Sequence, residues 1–329
     1  MPGPVKDNLL MENYVTLFDS LYLPQGIALH RSMERHVKSF TLWILCMDEQ
    51  TYAILKDLRL SNVKLLYIAD VETEELLSVK SYRTKGEYCW TLSPFAPKFV
   101  FDADEAVDRV TYLDADLWFR KDPEEVFNEL DNSGKGVLIT DHNYAPEYDQ
   151  SFFSGRYCVQ FMTFTRVGGE HVRQWWQERC IEWCYARFES GKFGDQKYLD
   201  DWETRFGKYV HSLRNKELIL APWNATRFPY GNSVVWHFQG LRVIRKRSSY
   251  KAYLGFYNLP DTTRKYIYQE YLKDLGYSIG LLTRVHHRVR TQGTPTTWQT
   301  IRNYVFRVLV LFKLSVPLDI ADIDVKINE

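Results

Sequence analysis

Two aspartates one residue apart, Asp114 and Asp116, close a run of apolar and β-branched residues in VTYLDADLWF (110–119). A strand that ends on such a pair can turn both carboxylates toward one hard cation. Mg²⁺ or Mn²⁺ accepts two such oxygens and keeps positions for phosphate oxygens, so the pattern suits a diphosphate. A bare D-x-D is common. Here the apolar strand before it, and the KDPEEVF after it with Pro123 suited to a first helical turn, give the pair a setting. Asp19, Asp48 and Asp70 also fall at predicted strand ends, where turn and cap roles are the ordinary use of Asp. His237 in VVWHF, Asp195 beside Gln196 in FGDQKYLDDW, and Gln160, polar within the apolar YCVQFMTFT, complete the chemically suggestive set.

Such groups need a sheet to position them. YVTLFDS (14–20), FTLWILCMD (40–48), VKLLYIAD (63–70) and RVTYLDADL (109–117) read as strands. Between them lie helical patterns in LPQGIALHRSMERH, in EQTYAILKDL and around 72–81 and 94–102. This β-α alternation predicts an α/β sheet with helices on its faces, whose ligands collect beyond the carboxyl ends of the strands. GVLITD (136–141) and YCVQFMTFTR (157–166) continue the strands. A tryptophan-rich helix over 169–190 follows, its rings spaced to pack a core face. GDQKYLDDWETRFG is helical from Gln196, and YVHSL and LILAP are short strands before NSVVWHFQGLRVI.

The 329 residues are 45% hydrophobic and 26% charged, a globular composition large enough to bury a core without disulfide or metal staples. The net charge is zero, which argues against a nucleic-acid-coating protein, but it is segregated. Residues 241–329 hold 15 basic and 7 acidic side chains, leaving +8 there and −8 over residues 1–240. Residues 1–245 read as one domain, and 246–329 as a mostly helical basic and aromatic appendage. In that appendage TWQTIRNYVFRVLVLFKL (297–314) is too short and too charged to span a bilayer. It suits either the surface of an anionic membrane or packing back on the domain. Five cysteines without a C-x-x-C pair read as free thiols of a reducing compartment. The N-terminus has no secretory pattern. A cytoplasmic protein, peripheral at the inner face of the membrane, is the expectation.

Five segments in order, VTLFDSLYLPQG, TYLDADLWF, FGDQKYLDDW, LAPWN and HFQG, resemble the nucleotide-diphospho-sugar transferases of the GT-A fold, especially glycosyltransferase family 8 and its bacterial relatives, over about residues 12–245. The resemblance implies a mixed sheet flanked by helices, with the basic C-terminal appendage beside it. It implies a divalent ion, Mn²⁺ or Mg²⁺, held by Asp114, Asp116 and His237, and a nucleotide-sugar donor, UDP-linked by preference. Thr16, Asp19 and Tyr22 would receive the nucleoside, and Ala115 and Gly240 belong to the same motifs. Asp195 and Gln196 would stand at the reacting sugar. The Lys-Pro-Trp that follows H-x-x-G in the family is replaced here by VIRK in HFQGLRVIRK, so Arg242, Arg245 or Lys246 would meet the diphosphate. Lys98 is a further candidate for the donor or the D-x-D loop. Gln160, Trp223 and Asn224 are candidates for the sugar and acceptor side, with the irregular segment from Tyr144 to Phe153 as wall or lid. The acceptor would be a hydroxyl of a glycan or lipid-linked glycan, with the sugar's configuration retained, in bacterial surface-glycan assembly.

The residues also admit plainer roles: Asp195 after Gly194 can cap the turn that follows, and His237 can be a satisfied strand histidine. Two rival functions do as well. A haloacid-dehalogenase-type phosphohydrolase would need its nucleophilic Asp near the domain start. A catalytically silent nucleotide-sugar binder or membrane scaffold is compatible with the missing Lys-Pro-Trp.

Overall fold

The computed structural model describes residues 11–293 and 320–325. The amphipathic stretch 297–314 lies outside the described residues. The strands are β1 (Glu12–Phe18), β2 (Phe40–Cys46), β3 (Val63–Tyr67), β4 (Arg109–Leu113), β5 (Leu117–Phe119), β6 (Val137–Asp141) and β7 (Tyr157–Thr165). After these come β8 (Val210–Ser212), β9 (Ile219–Leu220), β10 (Val235–His237), β11 (Arg242–Lys246), β12 (Ser249–Tyr253) and β13 (Ile320–Asp322).

Seven strands form one mixed sheet in the order β3-β2-β1-β4-β7-β6-β8. β1 pairs parallel with both β2 and β4, whereas β7 runs antiparallel to β4 and β6. The chain first builds outward from β1 through β2 to β3, then returns to lay β4 on the other flank of β1. The loops after β1 and β4 therefore diverge, and a crevice opens at the carboxyl ends of these two strands. Alternation of side chains divides the core between the two faces. Tyr14, Leu42 and Ile44 pack on one side, and Val15, Trp43, Leu45 and Tyr112 on the other.

Local chemistry sets the helix boundaries. Asp48 accepts the Thr51 N–H and starts the helix Glu49–Leu58. Thr84 and Glu87 form a reciprocal capping box at the start of Lys85–Leu92. The tryptophan-rich helix spans Arg166–Glu182, shorter than its sequence pattern suggests, and Trp176 is fully buried. It stops because the buried Arg83 guanidinium, distant in sequence, donates to the carbonyls of Cys180, Ile181 and Cys184 at 3.1, 2.9 and 2.6 Å and satisfies its terminal acceptors.

The predicted strand through the D-x-D is two strands. β4 belongs to the large sheet, and β5 joins a small sheet with β10 and β9. Asp114, Ala115 and Asp116 make the corner between them, with Leu117 N–H donating to Asp114 O at 3.2 Å. The described residues beyond 245 pack on the same body. Asp274 in the helix Gln269–Arg284 accepts from Arg31, Arg35 and the Trp118 indole, which ties that helix to Leu23–His36 and to β5. All five cysteines are free thiols.

Candidate active site

A cleft of about 940 Å³ opens at the carboxyl ends of β1 and β4. Its floor carries Asp114 and Asp116, placed by the switch from β4 to β5, and His237, the last residue of β10. The antiparallel pairing of β10 with β5 puts His237 opposite Leu117 and so delivers the imidazole to the D-x-D corner. His237 Nε2 lies 3.0 Å from Asp116 Oδ1 and 3.6 Å from Asp114 Oδ2. One donor atom from each of the three residues can be chosen so that all lie within 4.8 Å of one another.

Two carboxylates and a neutral imidazole form a donor set suited to Mn²⁺ or Mg²⁺. With metal–ligand bonds of about 2.1 Å, neighbouring ligand atoms of an octahedral ion sit about 3.0 Å apart, close to the observed spacing. The residues present therefore fit a divalent ion. Electrostatics agree. Burial, and then the Asp116 charge, push the Asp114 carboxyl up to about 6 against the pull of His237 and the Tyr112 hydroxyl. Burial disfavours a charged His237, yet the two aspartates outweigh it and raise its affinity for a proton. The site is short of positive charge, as an ion-binding pocket should be.

The chain wraps the cleft from several directions. Asp19 and Tyr22, directly beyond β1, line one side. Asp19 Oδ1 accepts the Leu21 N–H at 2.9 Å, which shapes the turn. Burial raises the Tyr22 hydroxyl far above its ordinary range, with Asp116 adding to this and Arg242 opposing it. Of the three candidate cations Arg242 is the one whose charge opposes this shift, though it is not itself among the residues that line the cleft. Arg245 lies over the Tyr250 ring instead, and Lys246 is exposed. Gly240 has φ +82°, a left-handed turn that lets the chain leave β10 beside Gly255 and bring Arg242 round.

Asp195 and Gln196 line the opposite wall with Trp223, Tyr144 and Gln150. The buried Asp195 side chain makes no capping hydrogen bond to the turn after it. Burial pushes its carboxyl up to about 7, helped by the Asp114 charge and opposed by the Ser93 hydroxyl and nearby amides. Gln196 Nε2 donates to Ser154 O at 2.6 Å. Trp223 stands edge-on to His237 with ring centroids 5.4 Å apart.

The structure does not bring every sequence candidate into the cleft. Thr16 is wholly buried within β1. Lys98 faces away on the helix Phe95–Ala103, paired one turn on with Asp102. Asn224 is spent on backbone groups, with Oδ1 accepting from Ala221 N–H in its own turn and Nδ2 donating to the distant His142 O. Gln160 faces His237 and no sugar pocket: its Oε1 lies 2.7 Å from His237 Nδ1.

Other lining residues carried no motif. Lys85, Cys89 and Trp90 come from the helix Lys85–Leu92, and Phe256 and Tyr257 from beyond β12. His142 closes the wall formed with Tyr144 and Trp223, stacked on Tyr144 at 4.6 Å. Burial lowers its proton affinity to a pKa of about 4, so it is neutral near pH 7. The available signal was position, since Asp141-His142 ends β6 on the same side of the sheet as the D-x-D.

No profile of a known protein family matches the chain. It is 32% identical to the uncharacterized protein YfnF of Bacillus subtilis (strain 168) over 249 residues, 70% of this chain and 82% of that protein. It is 28% identical to the uncharacterized protein YfnD of the same organism over 281 residues, 80% of this chain and 88% of that protein. Among solved structures it is similar to the galactosyltransferase LgtC in complex with donor and acceptor sugar analogues. The TM-score is 0.50 at 13% identity, covering 88% of this chain and 99% of that one. At such identity the likeness establishes the fold, which is GT-A.

Proposed function

The chain belongs to the family of the Bacillus subtilis protein YfnF. We propose that it is a metal-dependent glycosyltransferase related to glycosyltransferase family 8. It moves a sugar from a nucleotide-diphosphate donor, UDP-linked by preference, to a hydroxyl acceptor. The observation that carries the reading is the convergence of Asp114, Asp116 and His237 at the switch point of a GT-A sheet, inside a cleft that also holds Asp195.

Breaking a sugar–phosphate bond builds negative charge on the departing diphosphate and positive charge at the anomeric carbon. A divalent ion, when bound, neutralises the phosphate oxygens as a Lewis acid. Asp114, Asp116 and His237 hold it at the end of β4. Arg242 supplies the cation that the family's lysine provides, pairing with a phosphate oxygen as charge develops. Tyr22 and Asp19 bound the nucleoside side. Asp195, raised to about 7, is divided between acid and carboxylate near neutral pH. It can accept a hydrogen bond from the acceptor hydroxyl or face the oxocarbenium-like carbon in its charged form. The aromatic wall of Tyr144, Trp223, Phe256 and Tyr257 shields that carbon from water. Retention of configuration, Mn²⁺ as the ion, and a glycan or lipid-linked acceptor in bacterial surface-glycan assembly complete the proposal. Residues 1–245 carry the metal ligands and Asp195, while Phe256 and Tyr257 from beyond 245 complete the cleft wall. The basic extension over 246–329 would also meet an anionic membrane at the cytoplasmic face. Among the described residues no helix is long and apolar enough to cross a membrane.

A thermal-shift panel of nucleotide sugars with and without Mn²⁺, followed by chromatography of the released nucleotide, tests this. One donor class should raise the melting temperature only when the ion is present, with slow donor hydrolysis. Ion-dependent donor binding with no hydrolysis or transfer to any hydroxyl acceptor would favour the catalytically silent binder. Release of phosphate from monoesters would favour a phosphohydrolase.

A further inference from the structure

The three proposed ligands come from two chain segments far apart in sequence, the β4–β5 corner and the end of β10, and neither segment fixes the other by covalent geometry. Gln160, in the middle of β7, touches both. Its backbone carbonyl accepts the Asp114 N–H at 3.0 Å. Its side-chain Oε1 lies 2.7 Å from His237 Nδ1. The antiparallel register of β4 and β7, with Leu113 opposite Phe161, makes this double contact possible by placing Gln160 opposite the first residue beyond β4.

An amide oxygen can only accept, so its partner His237 Nδ1 must carry a proton. Without an ion, Nε2 also lies within hydrogen-bonding distance of an acceptor, Asp116 Oδ1, so both ring nitrogens carry protons. An ion that displaces the Nε2 proton would leave a neutral imidazole still protonated at Nδ1, with its Nε2 lone pair aimed at the ion. Gln160 is 1% exposed and His237 is 4% exposed, so water does not compete for this hydrogen bond. The Trp223 edge against the imidazole leaves the ring little room to rotate.

We propose that Gln160 is the positioning residue of the metal site. It fixes the Nδ1–H tautomer of His237 so that Nε2 is the ligand atom, and it locks the D-x-D corner to the His237 strand through its own backbone. This inference rests on the metal site proposed above and adds to it the residue that sets the site's geometry. Outer-shell partners of ligating histidines of this kind are worth about 10–100-fold in metal affinity.

The test uses the full chain, with Mn²⁺ as probe, and compares the parent with Gln160→Met, Gln160→Glu and Gln160→Asn. Free Mn²⁺ is read by electron paramagnetic resonance, and the His237 tautomer by ¹⁵N chemical shifts of histidine-labelled protein loaded with diamagnetic Mg²⁺. Gln160→Met keeps the length and loses the acceptor, so Mn²⁺ should bind about 10–100-fold more weakly, with the Nδ1–H signal lost or mixed. Gln160→Glu keeps an acceptor at the same reach and should bind within about threefold of the parent or tighter, which a loss of packing alone would not rescue. Gln160→Asn is too short to reach and should behave like Gln160→Met, and it answers the question should the methionine variant not fold. A parent that binds Mn²⁺ beside a methionine or asparagine variant of equal affinity, or a Mg²⁺-loaded parent in which His237 binds the ion through Nδ1, overturns the role of Gln160 and leaves the metal site standing. A parent that binds no Mn²⁺ overturns both.

Discussion

Asp195→Asn separates a catalytic carboxylate from a structural one. Asp195 is buried, and its carboxyl is pushed from 3.8 up to about 7. Each tenfold change in proton affinity corresponds to about 1.4 kcal/mol, so ionising it in the folded chain costs on the order of 4 kcal/mol relative to the unfolded chain. The sign follows from the raised folded-state pKa. The contribution to stability is fully present below 3.8, is lost as pH rises toward about 7, and is gone above that. Asparagine matches the shape and carries no charge. The variant should therefore match the parent near pH 4, gain on it steadily through pH 5 and 6, and exceed it by roughly 2–4 kcal/mol at pH 8. Urea unfolding of the ion-free protein at half-unit pH steps measures the difference, and sugar transfer by the same preparation should fall by two orders of magnitude or more. A variant less stable than the parent at pH 8, or a gain that does not grow with pH, would refute the reasoning, because a group held charged by its neighbours gives the opposite trend.

Three further outcomes are expected. His142 is neutral in the folded chain, its pKa lowered from 6.5 to about 4 by burial, so its contribution is present above 6.5 and lost as pH falls toward 4. Gln at position 142 should remove about 2 kcal/mol of the parent's stability loss between pH 7.5 and pH 5, read by chemical unfolding. Arg242→Ala should weaken binding of a nucleoside diphosphate in the presence of Mn²⁺ by about 10–100-fold, the worth of a charged hydrogen bond, while Mn²⁺ binding to the free protein stays unchanged in calorimetry. Asp274→Ala strips Arg31, Arg35 and the Trp118 indole of their shared acceptor. Since both guanidiniums reach solvent, the cost should be about 2 kcal/mol, below that of a fully buried pair.

The site was legible wherever its chemistry is local in sequence. Asp114 and Asp116 announce themselves by spacing and by the strand before them, and His237 by the glycine three residues on. What the sequence hid depends on pairing between distant segments. The break of one apolar run into β4 and β5 is decided by β10, which recruits Leu117–Phe119 into a second sheet. The end of the tryptophan-rich helix is decided by Arg83, about a hundred residues earlier, while the residues past Glu182 carry no strong helix breaker. Gln160 was visible as a polar residue in an apolar strand, but its partner could be found only once the register of β4 against β7 was known. Lys98 and Thr16 sit on the right elements with their side chains on the wrong faces. The wall from the helix Lys85–Leu92 and from Phe256 and Tyr257 has no motif at all, because a cleft needs only shape and apolar surface there.

In the proposed reaction an ion held by Asp114, Asp116 and His237 carries the diphosphate of the donor. Anomalous diffraction at the manganese edge, from crystals grown with Mn²⁺ and UDP, addresses it most directly. One strong peak is expected about 2.2 Å from a carboxylate oxygen of each aspartate and from His237 Nε2, with diphosphate oxygens completing the shell. Nucleotide bound in the cleft with no ion among these three side chains, or with the ion held elsewhere, would contradict it.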